Sequence, residues 1–368
     1  MGLIAYKIEE MNWISRVIKK CVACRWIATA LLAVSFIDCS VARSEPASTA
    51  PTAGTFCNPI VRSVDAADPW VILHDGLYYF TGTLDPEGGL WIWSSKNLSQ
   101  LDSGKKVKVW SAPATGGESH AIWAPELHWI NGKWYLYFTA SDGKNQNHRQ
   151  YVLEAKTSDP QGDYIDRGRI DPDLDSFAID GSVLEMPNGK LYWLYSDGKL
   201  HIAPMLSPVK VDDAGRSLLA SATLPWERGW LEAPEALIHN GRIFIAYSAG
   251  HSGTPNYSIG LLSYNGGDIL DAKSWTKSPM AVFYPYFGAD GAAYTVGHNS
   301  FTTSPDGRED WIVYHAKDWR GEEDEGFAGR TTRIQKFTWS KDNYPIFGHP
   351  IPSGIPLRRP SGESDKTP

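Results

Sequence analysis

Five times along the chain, a run of alternating apolar and small or polar positions begins at a glycine. The runs read GLYYFTGT from Gly76, GKWYLYFTA from Gly132, GKLYWLYS from Gly189, GRIFIAYSA from Gly241 and GREDWIVYHA from Gly307. Period-two alternation rich in aromatic and β-branched residues predicts strands. Each glycine follows Asn or Asp (Asp75, Asn131, Asn188, Asn240, Asp306). Such pairs predict tight hairpin turns, because the turn backbone needs positive φ. The glycine-to-glycine steps are 56, 57, 52 and 66 residues. Five hairpin-rich units of similar length with almost no helical periodicity predict an all-β fold, a five-bladed β-propeller over residues 57–352. A pair of β-sandwiches is the rival, but a sandwich has no need of a turn at a constant place in every repeat.

The N-terminal stretch has a different pattern. Arg16, Lys19, Lys20 and Arg25 precede twelve mostly apolar residues, 26–37, and Ser40-Val41-Ala42 offers small residues for cleavage. This predicts an export signal over 1–42, too short in its apolar part to span a bilayer. Met11 is an alternative start, and Cys39 an alternative lipidation point that Asp38 disfavours. Residues 43–56 are rich in Ser, Thr, Ala and Pro and read as a linker. Residues 353–368 form a polar tail expected to fray.

Composition narrows the class. Hydrophobic residues make up 42% and charged residues 21% of 368, which excludes a disordered chain, a coiled coil and a collagen. The net charge of −7 supplies no basic footprint for nucleic acid. Removing 1–42 takes away five basic and three acidic residues and shifts the charge to −9. It also removes Cys21, Cys24 and Cys39, leaving Cys57 without an intrachain partner. No membrane association is expected after signal removal. Asn97-Leu98-Ser99 and Asn256-Tyr257-Ser258 are glycosylation sequons.

In a propeller the first strand of each blade lines the central channel. Counting back nine residues from the turn glycines gives Trp123, Asp180, Glu232 and His298; Asp68 lies eight back from Gly76. A local echo, WAPE from Trp123 and EAPE from Glu232, supports this register. Three carboxylates in one slot repel one another, so a catalytic use is favoured over a calcium cage or a solvated channel. Glu126 and Glu235 fall three residues further on, on the opposite strand face by alternation, and read as structural. Asp65 is a weaker candidate by register. Asp171, Asp173 and Asp175 in IDPDLD lack the rest of a calcium loop and read as a solvated turn. The acids of 322–325 read as a solvated loop. Two carboxyls flanking a sugar ring, one ionised and one protonated, are what glycoside hydrolysis requires, and a third beside the acid would raise its pKa.

In chain order the motifs NPI (58–60), ADPW (67–70), HAIWAPELHWINGKWYLYF (120–138), SFAIDGSVL (176–184), WLEAPE (230–235), GHNSF (297–301) and GRTTRIQKF (329–337) resemble glycoside hydrolase family 43. The resemblance implies a five-bladed propeller and an inverting enzyme acting mainly on arabinosides and xylosides. It implies Asp68 as general base, Glu232 as general acid and Asp180 as modulator of the acid's pKa. HAIWAPE, SWTKSP (274–279), GHNSF and RTTRIQK look like the α-L-arabinofuranosidase branch, which releases terminal arabinofuranosyl residues from arabinan or arabinoxylan. Arg330 matches an arginine that hydrogen-bonds substrate near the base. His298 matches a channel histidine that holds water or calcium, so a structural Ca²⁺ is an option and no cofactor is required. Trp123 would wall the pocket. Many family members have Gly after the acid, where this chain has Ala233. β-Xylosidase or endo-arabinanase activity on the same trio, and a non-catalytic carbohydrate-binding propeller, are the alternatives.

Overall fold

In the computed structural model, residues 54–62, 64–319 and 326–364 are described. The expected export signal, most of the linker and the acids of 322–325 lie outside these residues. Four-stranded antiparallel meanders form the first two blades: Ala67–His74, Leu77–Thr83, Gly89–Ser95 and Lys105–Ser111, then His120–Ile130, Lys133–Ser141, Arg149–Ala155 and Tyr164–Arg169. Blade three comprises Ile179–Glu185, Leu191–Ser196, Leu200–Ser207 and Lys210–Val211, with Ser217–Ala220 added beside its third strand. Blade four is Leu231–His239, Arg242–Ala249, Ser258–Tyr264 and Trp275–Lys277. Blade five is Gly291–Thr303, Asp310–Lys317, Thr331–Trp339 and Pro345–Ile346, and Tyr286–Gly288 pairs with its first strand. No helix among the described residues is long and apolar enough to cross a membrane.

The aromatic runs are second strands, and they are buried on both faces. Tyr78 and Phe80 pack into the cluster between blades five and one, whereas Tyr79 packs between blades one and two. Trp134, Leu136 and Phe138 join that second cluster, while Tyr135 and Tyr137 face blade three. Five such clusters fill the five inter-blade spaces. This alternation explains why nearly every position of these strands is apolar: each side chain serves one of two neighbouring interfaces.

The ring closes through the N-terminal segment. The Asn58 side chain makes two hydrogen bonds to the Ile334 backbone (2.8 and 3.0 Å), and Ala66 N–H donates to the Arg330 carbonyl (3.1 Å). Thr55–Cys57 pairs with Pro356–Arg358. The tail is therefore tied down further than its polarity predicts; Glu363 also accepts from the Ser99 backbone and hydroxyl. Asn97 is only 5% exposed and donates to the Ser364 carbonyl, so its sequon is inaccessible in the folded chain.

Two expectations are corrected by the turns and first strands. Two-residue turns with positive φ at both positions occur at Asp75-Gly76, Asn131-Gly132 and Asn240-Gly241. The turns of blades three and five are longer, spanning Glu185↔Leu191 and Thr303↔Asp310. There Pro187 and Pro305 precede Asn188 and Asp306; a proline cannot take positive φ, so it opens a wider turn closed by Gly189 N–H to Met186 O and Gly307 N–H to Ser304 O. The glycine count is thus displaced by one residue in these two blades. By strand pairing, Trp123 and Glu232 align with Ala67, Ile179 and Gly297, while Asp68, Asp180 and His298 occupy the next position.

That next position is a β-bulge in every blade. It carries φ of 52° at Asp68, 46° at Ala124, 55° at Asp180, 51° at Ala233 and 46° at His298. The extra residue also overturns the alternation argument for the other acids. Glu232 pairs with Ser248 and Glu235 with Ala246, two residues apart on the partner, so Glu232 and Glu235 share one face. In blade three the bulge depends on Gly181. A Cβ there would lie 1.9 Å from a Trp193 ring carbon, beside the Gln150–Trp193 hydrogen bond (2.6 Å). Gly181→Ala is expected to destabilise the fold by about 1–3 kcal/mol or more through overpacking. Urea denaturation checks this, and an unchanged midpoint would show that the ring has room to move.

Candidate active site

A cavity of about 460 Å³ opens over the hub, and Asp68, Trp123, Asp180, Glu232, His298 and Arg330 all line it. Every candidate drawn from the repeat therefore reaches one pocket, although the residues occupy two adjacent positions of the bulge. Left-handed backbone at non-glycine residues costs on the order of 1–3 kcal/mol each and persists only where surrounding structure enforces it. The glycine that the resemblance would place where this chain has Ala233 has a physical explanation here. Ala233 holds φ of 51°, a conformation glycine adopts without strain, and its N–H donates to Asp180 Oδ2 (3.2 Å).

Asp68 stands beside the Arg330 guanidinium, two buried histidines and a hydroxyl donor. Its Oδ1 lies 3.2 Å from Arg330 Nη1 and 3.3 Å from Nδ1 of both His298 and His315; its Oδ2 accepts from the Thr83 hydroxyl (2.6 Å). Burial alone would raise its pKa, but His298, Arg330 and His315 more than offset this and hold the carboxyl well below its usual range. Arg330 is fixed in turn by its Nε–H, which donates to the Phe327 carbonyl (3.0 Å). Ring closure supplies this arrangement, since Arg330 belongs to blade five and Asp68 to blade one.

Glu232 has the opposite electrostatics. Burial raises its pKa; hydrogen bonds from Tyr257 and Trp230 lower it, Asp68 raises it, and the balance is about 7. Asp180 is pushed well above the carboxylate range, first by burial and then by the charges of Glu232 and Asp68. Two buried acids so placed cannot both ionise readily, and together they retain a proton at neutral pH.

One wall of the pocket is aromatic. Trp123 stacks on His148 (4.0 Å), His148 meets Phe177 (5.9 Å), and Phe177 meets Trp230 (6.3 Å). His251 and Phe327 pack together on another wall (5.4 Å). Such surfaces suit the apolar face of a sugar ring.

Calcium takes six to eight oxygen ligands. The carboxylate beside His298 is already engaged by four groups, and among the described residues no set of three or more His, Cys, Asp or Glu side chains is arranged to hold a metal. These residues therefore do not fit a directly ligated calcium ion.

The other acids have separate fates. Asp65 is exposed and accepts from Gly329 N–H (3.3 Å), bracing the residue before Arg330. Glu126 pairs with His128 (2.8 Å) and Glu235 accepts from the Ser182 hydroxyl (3.2 Å); both are buried and neither lines the pocket. Asp173 and Asp175 are exposed as expected, but Asp171 is only 1% exposed, because this turn folds under the fourth strand of blade three through Val211 N–H to Ile170 O. Sequence reasoning missed Thr83, Tyr257 and His315. Thr83 and His315 lie on second strands and Tyr257 just before a third, where no count along the first strand could reach them. Trp230 stood within the WLEAPE motif, and its spacing of two from Glu232 was a usable signal.

A family model for glycosyl hydrolases family 43 matches residues 56–345. A Streptomyces avermitilis protein named extracellular exo-α-(1→5)-L-arabinofuranosidase is 34% identical over 322 residues, covering 83% of this chain and 66% of that protein. α-L-Arabinofuranosidase 43 of Humicola insolens is 32% identical over 350 residues, covering 90% of this chain and 70% of that protein. The crystal structure of an α-L-arabinofuranosidase from Lactobacillus brevis matches with a TM-score of 0.73 at 35% identity, over 81% of this chain and 98% of that one. The chain thus spans about two thirds of the length of these two curated relatives.

Proposed function

This chain belongs to glycosyl hydrolases family 43, and from that premise we propose that it is an inverting glycosidase releasing terminal α-L-arabinofuranosyl residues from arabinan or arabinoxylan. The observation that carries the reading is the division of charge in one pocket: an ionised Asp68 opposed to a protonated Glu232. Asp68 takes a proton from a water that attacks the anomeric carbon. Glu232 gives its proton to the departing glycosidic oxygen. Asp180, anchored by the Ala233 N–H, is buried with the acid, so the two cannot both ionise and the pair retains a proton at neutral pH. Arg330 touches both the base and the pocket and is placed to bind a sugar hydroxyl; Trp123 supplies a ring platform. The names of the relatives support the arabinofuranosyl specificity. The signal-like pattern of 1–42 and the extracellular relative support export.

The test is a substrate panel followed by NMR of the first product. 4-Nitrophenyl α-L-arabinofuranoside should be cleaved in preference to the β-xyloside and to debranched arabinan, with anomeric inversion. Preference for the xyloside or for internal arabinan bonds would replace the substrate assignment, and retained configuration would overturn the mechanism. The pH profile has a worked sign. Turnover should persist in mild acid, because Asp68 remains ionised below the usual carboxylate range, and should fall as pH rises through about 7, where Glu232 loses its proton. A rate still climbing at pH 9 would contradict this division of roles.

A further inference from the structure

We propose that Tyr257 is a positioning residue for the general acid: its hydroxyl holds one oxygen of Glu232 and donates to the carboxylate that forms when the proton leaves. This rests on the reading of Glu232 as the acid. Glu232 has two short contacts, Trp230 Nε1–H to Oε2 and Tyr257 O–H to Oε1, each 2.6 Å. The two donors differ in kind. An indole N–H can only donate, whereas a phenol can donate or accept. Trp230 therefore orients the carboxyl in either state, and Tyr257 can accept from a protonated Glu232 and donate to an ionised one.

The surroundings are built for this ring. Tyr257 is fully buried, and it lies parallel to His315, at 5.7 Å and 12°. A Cβ on Gly297 would fall 2.3 Å from a Tyr257 ring carbon, so glycine at that position lets the ring reach Glu232. Ser248, whose oxygen accepts the His298 backbone N–H (2.8 Å), is a second partner for the phenol. The other ionisable groups facing Glu232 come from three blades: Asp68 from blade one, Asp180 from blade three and Arg330 from blade five. Of the two donors to Glu232 among the described residues, Tyr257 is the one that can reverse the direction of its hydrogen bond as the carboxyl changes charge.

Tyr257→Phe removes the hydroxyl and keeps the ring. A donor that stabilises the carboxylate lowers the acid's pKa, so its loss should move the alkaline limb of the pH profile up by about one unit or more. The weaker, less oriented acid should act worst where the leaving group needs a proton. The fall in kcat on arabino-oligosaccharide should exceed the fall on 4-nitrophenyl arabinofuranoside about tenfold or more. Difluorotyrosine at position 257, a stronger donor of nearly the same shape, should move the limb downwards; it also decides the matter if the phenylalanine variant does not fold. Equal losses on both substrates with an unmoved limb in either variant would reduce Tyr257 to packing. The Glu232 carboxyl can also be titrated by ¹³C NMR in substrate-free protein. A shift there on Tyr257→Phe upholds the contact, and its absence refutes it, even if wild-type turnover on arabinofuranosides fails and takes the functional reading with it.

Discussion

Asp68→Asn is expected to lower kcat by about 10²–10⁴-fold, the usual range for loss of a positioned general base. The amide keeps the size of the carboxylate but cannot take a proton from water. The same change should also weaken the fold at neutral pH. Arg330, His298, His315 and Thr83 all converge on this carboxylate, and an amide leaves the arginine without its anion. Because the folded-state pKa is depressed, the ionised group contributes stability above the ordinary carboxylate range and loses it as pH falls through the lowered value. The expected cost at pH 7 is about 1–3 kcal/mol. Thermal melting at pH 7, read beside steady-state rates, measures both effects. Activity within threefold of wild type would remove Asp68 from the mechanism.

Glu232→Gln should have a similar effect on turnover and the opposite effect on stability. Removing the proton donor is expected to reduce kcat on arabino-oligosaccharides by about 10²–10⁴-fold. Burial raises the carboxyl from its ordinary 4.5 to about 7, so the folded protein holds a proton that the unfolded chain has released across that window. Native stability therefore declines as pH rises from about 4.5 to 7, by on the order of 2–3 kcal/mol. Glutamine removes this penalty and fits the site, with its oxygen accepting from Trp230 and its amide donating to Tyr257. The variant should melt several degrees higher at pH 8 and almost unchanged at pH 4. A lower melting point at pH 8 would show that the buried charge is not the strained element of this site.

The two opposite signs illustrate a stability–function trade-off within one pocket. The Asp68 carboxylate is stabilised by its surroundings and an ionised Glu232 is destabilised by them, yet both sit at the bulge of equivalent strands. The difference comes from the neighbours: Arg330 and two histidines beside Asp68, whereas at Glu232 burial and the charge of Asp68 outweigh the hydrogen bonds from Tyr257 and Trp230.

Much of this was legible along the chain. Alternation in GKWYLYFTA and its four counterparts indicated strands, and the spacing of Asn-Gly and Asp-Gly pairs indicated five similar units. The same count reached Asp68, Asp180 and Glu232 because each first strand enters the hub with the same polarity. It misplaced their register by one, because Pro187 and Pro305 widen two turns and every first strand carries an extra residue. The bulge also placed Glu235 on the face of Glu232, against simple alternation.

The chain by itself determined what depends on nearest neighbours: strand type, turn sites, repeat number and the acidic side chains offered to the centre. The closed ring decided which of those acids is charged. A carboxyl's pKa is set within a few ångströms of its oxygens, and here Arg330 comes from 262 residues beyond Asp68, while Tyr257 reaches Glu232 from just before the third strand of its blade. Proximity of that kind is created by folding, and no local pattern encodes it.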